Sequence, residues 1–131
     1  MQSAQLEDIF TRETLDELFP RDKADDFFEA LFGDSEEGAF DIQLHFVGAG
    51  EGRLDFEFRL QERPSKCLSC SLTYGLPDVF TRHPVINVKG LVEGVERLLP
   101  GKRCVNWKLG RTKELSSKEH AIPLHIDIQD A

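Results

Sequence analysis

Three stretches of this chain, residues 41–47, 53–61 and 66–74, alternate apolar and polar residues with a period of two. Side chains two positions apart lie on the same face of a strand, so each stretch predicts a strand buried on one side only. The middle stretch shows the clearest apolar face, which consists of Leu54, Phe56, Phe58 and Leu60. Short loops separate the three stretches, and we therefore expect an antiparallel meander.

Helical spacing of apolar residues lies on either side of this meander. Residues 11–33 predict a helix in two segments, which Pro20 separates and Gly33 ends. Residues 88–99 predict a second helix, and Asn87 precedes it as a candidate N-cap.

The first of these helices has a strongly apolar face. Four apolar side chains lie within six residues of it, namely Phe27, Phe28, Leu31 and Phe32. Such a face must be covered, and we expect either the sheet or a partner to cover it.

Two further strands are predicted in the last third of the chain. Val105, Trp107 and Leu109 alternate with polar residues, and residues 122–128 alternate more strongly. Pro123 lies within the last run and cannot donate a backbone hydrogen bond, which favours an edge strand. Residues 110–120 between these runs are polar and basic, and we expect a mobile hairpin loop or a contact surface there.

The elements together predict one α+β domain spanning residues 1–131. Two helices would pack on one face of a mainly antiparallel, roughly five-stranded sheet, in the order α-β-β-β-α-β-β. The opposite face should be solvated, because it would carry Asp41, Gln43, His45, Arg53, Asp55, Glu57, Arg59, Cys67, Ser69, Ser71, Thr73, His125 and Asp127. Asp55 and Glu57 are a carboxylate pair on that face, but the alternating arginines favour a ladder of surface ion pairs.

Composition excludes some classes of function. No apolar run approaches the roughly 20 residues that cross a bilayer, and no secretion signal precedes the first helix, so we expect a cytoplasmic protein without membrane contact. The net charge is −8, and residues 1–40 hold 12 acidic and three basic residues. Phosphate backbones repel such a surface, and we expect no nucleic-acid binding.

The three cysteines offer the one obvious motif. Cys67 and Cys70 form a CxxC pair that Cys104 and His120 or His125 could complete as a zinc site. On a strand, residues three apart point to opposite faces, so we favour Cys70 as a core residue over a metal or redox role. An odd number of cysteines without an export signal predicts reduced thiols, and no cofactor is expected.

A candidate ligand site lies near the predicted start of the second helix. Arg82, His83 and Lys89 flank this start, where backbone N–H groups could hold an anion. A pocket between helices and sheet would lie near Tyr74, His83 and Trp107. The alternative is a solvated loop with ordinary charges. No residues are assigned to catalysis, because the sequence contains no nucleophile elbow, phosphate loop, HExxH or dinucleotide fingerprint.

Two resemblances accompany these patterns. Residues 76–92, LPDVFTRHPVINVKGLV, resemble a small, uncharacterised bacterial family whose members sometimes carry a misleading homeobox-type label. That label implies a three-helix DNA-binding domain, whereas the alternating strands and the acidic amino terminus favour a different fold. The size, acidity and element order are similar to type III secretion chaperones, which implies a chaperone-like role and, in that family, a third helix after the last strand.

The sequence thus favours a non-catalytic module that binds a protein partner or a second copy of itself. The expected contact surface is the strand edge or the second helix. The alternative is a small enzyme or ligand carrier with a pocket between helices and sheet.

Overall fold

A computed structural model describes residues 3–34, 36, 38–68 and 73–130. The helices are α1 (Ser3–Ile9), α2 (Arg12–Leu18), α3 (Lys23–Phe32), α4 (Leu76–Arg82) and α5 (Val88–Arg97). The strands are β1 (Phe40–Gly50), β2 (Arg53–Glu62), β3 (Lys102–Leu109), β4 (Lys113–Ser116) and β5 (Glu119–Asp130). None of these helices is long and apolar enough to span a bilayer.

The five strands form one antiparallel sheet, which confirms the predicted α+β class. The strand order is β1-β2-β5-β3, and β4 also pairs with β5. The helices cover the face on which the alternating apolar residues lie, and this face buries Ile42, Leu44, Leu54, Phe56, Phe58, Leu60, Ile122, Leu124 and Ile126. The predicted apolar face of β2 is therefore the centre of the core.

The helix predictions are confirmed in position and incomplete in number. Pro20 separates α2 from α3, and Gly33 ends α3 with a φ of 77°, a backbone conformation that glycine adopts without strain. Asn87 caps α5 by accepting a hydrogen bond of 3.1 Å from the Gly90 N–H. The prediction of two helices omitted α1 and α4. Both have seven residues, too few for a helical period to be clear, although Pro77 suits the first turn of α4.

The predicted third strand, residues 66–74, is wrong in its described part. After β2 the chain turns at Ser65, which has a φ of 65°. Thr73–Gly75 form a 3-10 turn rather than a strand. Residues 69–72, including Cys70, lie outside the described residues. The fifth strand is instead β4, within the stretch predicted as a loop. The observed order is thus three helices, two strands, two helices and three strands.

Pro123 lies at the centre of the sheet, so the prediction of a final edge strand is wrong. β5 pairs with β2 on one side and with β3 and β4 on the other. The Pro123 carbonyl accepts a hydrogen bond of 2.8 Å from the Gly110 N–H. Because N and C=O of one residue point the same way in an antiparallel strand, the proline nitrogen faces the gap between the end of β3 and the start of β4. No ladder hydrogen bond is needed there.

The true edge strands, β1 and β3, are interrupted in the same manner. Each has one extra residue in its pairing register, Val47 in β1 and Val105 in β3. A charged side chain from a helix also bonds to each of these two strands. Arg12 donates to the Leu44 carbonyl at 2.6 Å, and the Glu96 carboxylate accepts from the Cys104 N–H at 2.8 Å. Bulges and charges of this kind limit uncontrolled pairing of sheet edges.

Candidate protein-binding groove

A surface groove of about 250 Å³ separates α5 from the free edge of β3. The helix contributes Lys89, Val92, Glu93 and Glu96. The strand contributes Cys104, Val105, Asn106 and Trp107. The helix positions follow the spacing i, i+3, i+4 and i+7, which places them on one helix face. We call this feature the α5–β3 groove.

The opposite face of α5 fixes the helix against the core. Val88, Leu91 and Val95 are buried there, so the groove-facing residues are held by a helix that has little freedom to rotate. Asn87 begins the helix in a left-handed conformation with a φ of 50°, and its side chain satisfies a backbone N–H of the first turn. The sequence around residue 87 thus positions the helical wall of the groove.

The strand wall presents unpaired backbone groups to the groove. Gly110 donates its N–H to β5, and successive residues of a strand point their backbone groups to opposite sides. The N–H and C=O of Leu109 and Trp107 therefore point away from β5. Glu96 occupies one other edge position, where its carboxylate accepts a hydrogen bond of 2.8 Å from the Cys104 N–H.

The chemistry of the groove is mixed. Val92 and Val105 are apolar, whereas Lys89, Glu93 and Glu96 are charged. Burial, reinforced by the Glu96 carboxylate, raises the pKa of the Cys104 thiol to about 11. The thiol is therefore protonated at neutral pH and behaves as a small hydrophobic group rather than as a nucleophile.

The predicted ligand residues occupy different surfaces, apart from one pair. Lys89 and Trp107 both line the α5–β3 groove. Tyr74 lies in a separate shallow cleft with Pro77, and its hydroxyl donates to Glu114 at 2.9 Å. This hydrogen bond raises the pKa of Tyr74.

Arg82 and His83 lie at the end of α4, not at the start of α5. Arg82 is exposed in the last turn. The His83 ring packs edge-on against Phe27, with 4.9 Å between ring centroids, and its Nδ1 accepts from the Val85 N–H at 3.2 Å. His83 is thus half-buried, and Phe27 and the Val85 N–H hold its ring in place.

The cysteines differ from expectation. Cys67 is disulfide-bonded, which contradicts the prediction of reduced thiols at that position, while Cys104 is a free thiol in the groove. Within the described residues, no group of three or more His, Cys, Asp or Glu side chains is arranged to hold a metal.

The outer face of the sheet carries ion pairs, two of which lie within β2 rather than across strands as predicted. Arg53 pairs with Asp55 at 3.0 Å, and Arg59 pairs with Glu57. His125 also bonds to Asp55, with 2.7 Å between Nδ1 and Oδ1. Each carboxylate therefore has a cationic or imidazole neighbour, the arrangement of a structural ladder. Glu57 departs from the expected solvation because it is buried.

Burial, followed by the positive charges of Arg59 and Arg12, lowers the pKa of His45 on the same face. Two acidic neighbours, Glu119 and Glu57, oppose this shift. The His45 Nε2 lies 2.9 Å from the side-chain oxygen of Gln43. The ring is therefore neutral at physiological pH and held by an uncharged partner.

A buried polar cluster was not found from the sequence. His120 shares a hydrogen bond of 2.8 Å between its Nδ1 and the Thr73 hydroxyl, and the Thr112 hydroxyl donates to the Thr73 carbonyl at 2.7 Å. The His120 Nε2 is buried without a partner among the described residues. The only sequence signal was His120 itself, considered as a zinc ligand.

Another cleft lies at the far end of β5 from His120. Its volume is about 670 Å³, and it is lined by α1, the β1–β2 turn and the ends of β3 and β5. Leu6, Leu54 and Ile128 form an apolar part, and Lys102 pairs with Asp130 at the rim.

No family model, no curated protein and no solved structure is significantly similar to this chain.

Proposed function

We propose that this protein is a non-catalytic binding module that holds an extended segment of a partner protein in the α5–β3 groove. The observation that carries the proposal is the free backbone edge at Trp107, which faces a helix wall of mixed polarity. The sequence suggested the edge of the final strand and the second helix as contact surfaces. That final strand, β5, is central, and the edge beside the helix belongs to β3 instead. In this groove the two lie side by side.

The recognition mode is addition of a strand to a sheet edge. The main chain of the bound segment exchanges hydrogen bonds with Trp107 in the groove and continues to Leu109, which lines the neighbouring cleft with Tyr74 and Pro77. Such main-chain bonds supply affinity without requiring a particular sequence. Side chains of the segment contact Val105, which is 43% exposed, while Lys89 and Glu93 select among charged residues.

Glu96 limits how far the added strand extends. Its carboxylate already holds the Cys104 N–H, and Val105 interrupts the register of the strand. Pairing is therefore confined to the residues that follow the bulge. A short paired segment suits reversible binding and disfavours the growth of extended sheets.

A second candidate function is the binding of a small molecule, and the cleft of about 670 Å³ supports it. Its apolar part is formed by Leu6, Leu54 and Ile128, and the Lys102–Asp130 ion pair supplies polar groups. This combination is typical of ligand pockets. Native mass spectrometry of the purified protein tests it, because a retained organic adduct would place this candidate first.

The experiment that tests the binding module is selection from a displayed library of random peptides. Trp107 is the single tryptophan of the chain, so its fluorescence reports occupation of the groove directly. We expect selected peptides to shift the Trp107 emission. We also expect Val105→Glu to abolish their binding.

Val47→Glu is the matched control. Val47 is the bulge residue of the other edge strand and is 57% exposed, compared with 43% for Val105. Val47→Glu should bind the selected peptides like the unmodified protein. Loss of binding in the Val47 variant alone would place the site on β1, and self-association that excludes every peptide would make a second copy the occupant.

A further inference from the structure

The last turn of α3 exposes two large apolar side chains. Leu31 is 46% exposed and Phe32 is 58% exposed. The sequence predicted that the apolar face of this helix must be covered, and the fold covers only part of it: Phe27 and Phe28 are buried. We call the uncovered part, with the acidic residues around it, the α3 patch.

Phe32 packs on one neighbouring ring although it is exposed. Its ring stacks on the ring of Phe28, with 6.0 Å between centroids and an angle of 6° between planes. Phe40 packs edge-on against Phe28 at 4.8 Å, and the Arg63 guanidinium lies 5.3 Å from the Phe28 ring centroid. Gly38 approaches so closely that a Cβ there would overlap the ring. These contacts fix the Phe28 ring, which gives Phe32 a rigid surface to stack on, and a side chain restricted in this way loses less entropy when a partner covers it.

Acidic residues flank this apolar pair in the chain. Glu29, Asp34 and Glu36 are all exposed next to it in the chain. No lysine or arginine occurs between Lys23 and Arg53 in the sequence, and the nearby Arg63 guanidinium is paired with Asp25 at 2.7 Å and with Asp41 at 3.0 Å. The carboxyl-terminal end of the α3 dipole adds partial negative charge at the same turn.

We propose that the α3 patch binds a basic, amphipathic segment of a partner protein, at a site separate from the α5–β3 groove. Rigid aromatic anchors surrounded by complementary charge are typical of binding hot spots. Like charge disfavours three other occupants: a second copy of the same patch, an anionic membrane surface and nucleic acid.

The test uses three short synthetic peptides. The first has leucine and phenylalanine on one helical face and lysine on the other, the second is its scrambled version, and the third replaces lysine with glutamate. Nuclear magnetic resonance titration of the labelled protein should show shifts in the last turn of α3 with the first peptide only. Rising salt should weaken this binding.

Variants locate the site. Phe32→Ala should weaken binding of the first peptide by at least about tenfold, and Leu31→Ala should weaken it as well. Leu115→Ala is the matched control, because Leu115 lies on β4 and is 47% exposed. It should leave binding unchanged. Circular dichroism would confirm that each variant is folded.

Several results would overturn the inference. These are absence of binding by the first peptide, equal binding of the scrambled peptide, or unchanged binding by a folded Phe32→Ala variant. The two proposals fail independently. Trp107 fluorescence reports binding in the α5–β3 groove, and Val105→Glu should abolish that binding without affecting binding of the first peptide at the α3 patch.

Discussion

The Glu96 carboxylate accepts a hydrogen bond of 2.8 Å from the backbone N–H of Cys104. A side chain of α5 thereby takes the place that a neighbouring strand would occupy on the edge of β3. The same carboxylate contributes to the raised pKa of the Cys104 thiol. One residue thus links the stability of the edge, the reactivity of a cysteine and the extent of the proposed binding groove.

Replacing Glu96 should change both stability and thiol chemistry. Glu96→Ala leaves the Cys104 N–H without its acceptor and should lower the free energy of unfolding by about 1 kcal/mol. It also removes a negative charge, so the pKa of Cys104 should fall from about 11 and alkylation at pH 8 should become faster. Iodoacetamide rates as a function of pH measure this. Glu93→Ala removes a charge from the same helix face without a bond to β3, and equal effects in both variants would contradict the assignment.

A side chain at position 38, now Gly38, should destabilise the folded protein. A Cβ at this position would overlap the Phe28 ring, and the ring is held by Phe40 and Arg63. Gly38→Ala should therefore lower the free energy of unfolding by about 1–3 kcal/mol. Gly48→Ala is the control, because nothing lies within 4 Å of a Cβ there. Urea unfolding curves with equal midpoints for the two variants would refute the prediction.

The buried hydroxyl of Thr112 should matter more than an exposed one. Thr112 and Thr81 each donate to a backbone carbonyl at 2.7 Å, but only Thr112 is buried. Thr112→Val strands the Thr73 carbonyl and should cost about 1–2 kcal/mol in unfolding free energy. Thr81→Val should cost less than about 0.5 kcal/mol. Thermal unfolding followed by circular dichroism compares them, and a larger loss in the Thr81 variant would rule out the explanation.

His45 should make the protein less stable in acid. Burial and the charges of Arg59 and Arg12 lower its folded pKa below 6.5, its ordinary value. The folded state therefore binds the proton less well than the unfolded chain, and the contribution of His45 to stability falls as the pH drops below 6.5. Arg59→Gln should raise the His45 pKa, as measured by a proton NMR titration. Arg53→Gln, on the same face, should not raise it.

Periodicity predicted the strands that have a full apolar face. β1 and β2 contain long alternation that ends in turn residues, and their pairing leaves few alternatives for register. The same rule failed at residues 66–74. Pro64 and the left-handed Ser65 direct the chain out of the sheet, and Leu68 is buried without being part of a strand. Local alternation does not reveal such a turn before the chain is folded.

Pro123 led to a wrong prediction of which strand lies at the edge of the sheet. Proline is excluded from a central strand only where its nitrogen would have to face a neighbouring strand, and the Pro123 nitrogen faces the gap between β3 and β4. Lys89 and Trp107 were both named from the sequence, but their meeting in one groove depends on how α5 packs beside β3. The His120 cluster joins residues separated by 47 positions, a contact that spacing in the chain does not encode.

The central place of β5 has a consequence for the growing chain. β2 leaves the ribosome paired on one side with β1, but its other side is completed only when β5 has been made about sixty residues later. Until then the nascent chain presents an open row of backbone donors and acceptors beside its most apolar residues. We therefore expect ribosome-bound chains that stop before β5 to be protease-sensitive and to depend on chaperones, whatever the affinity of the finished protein for its partners.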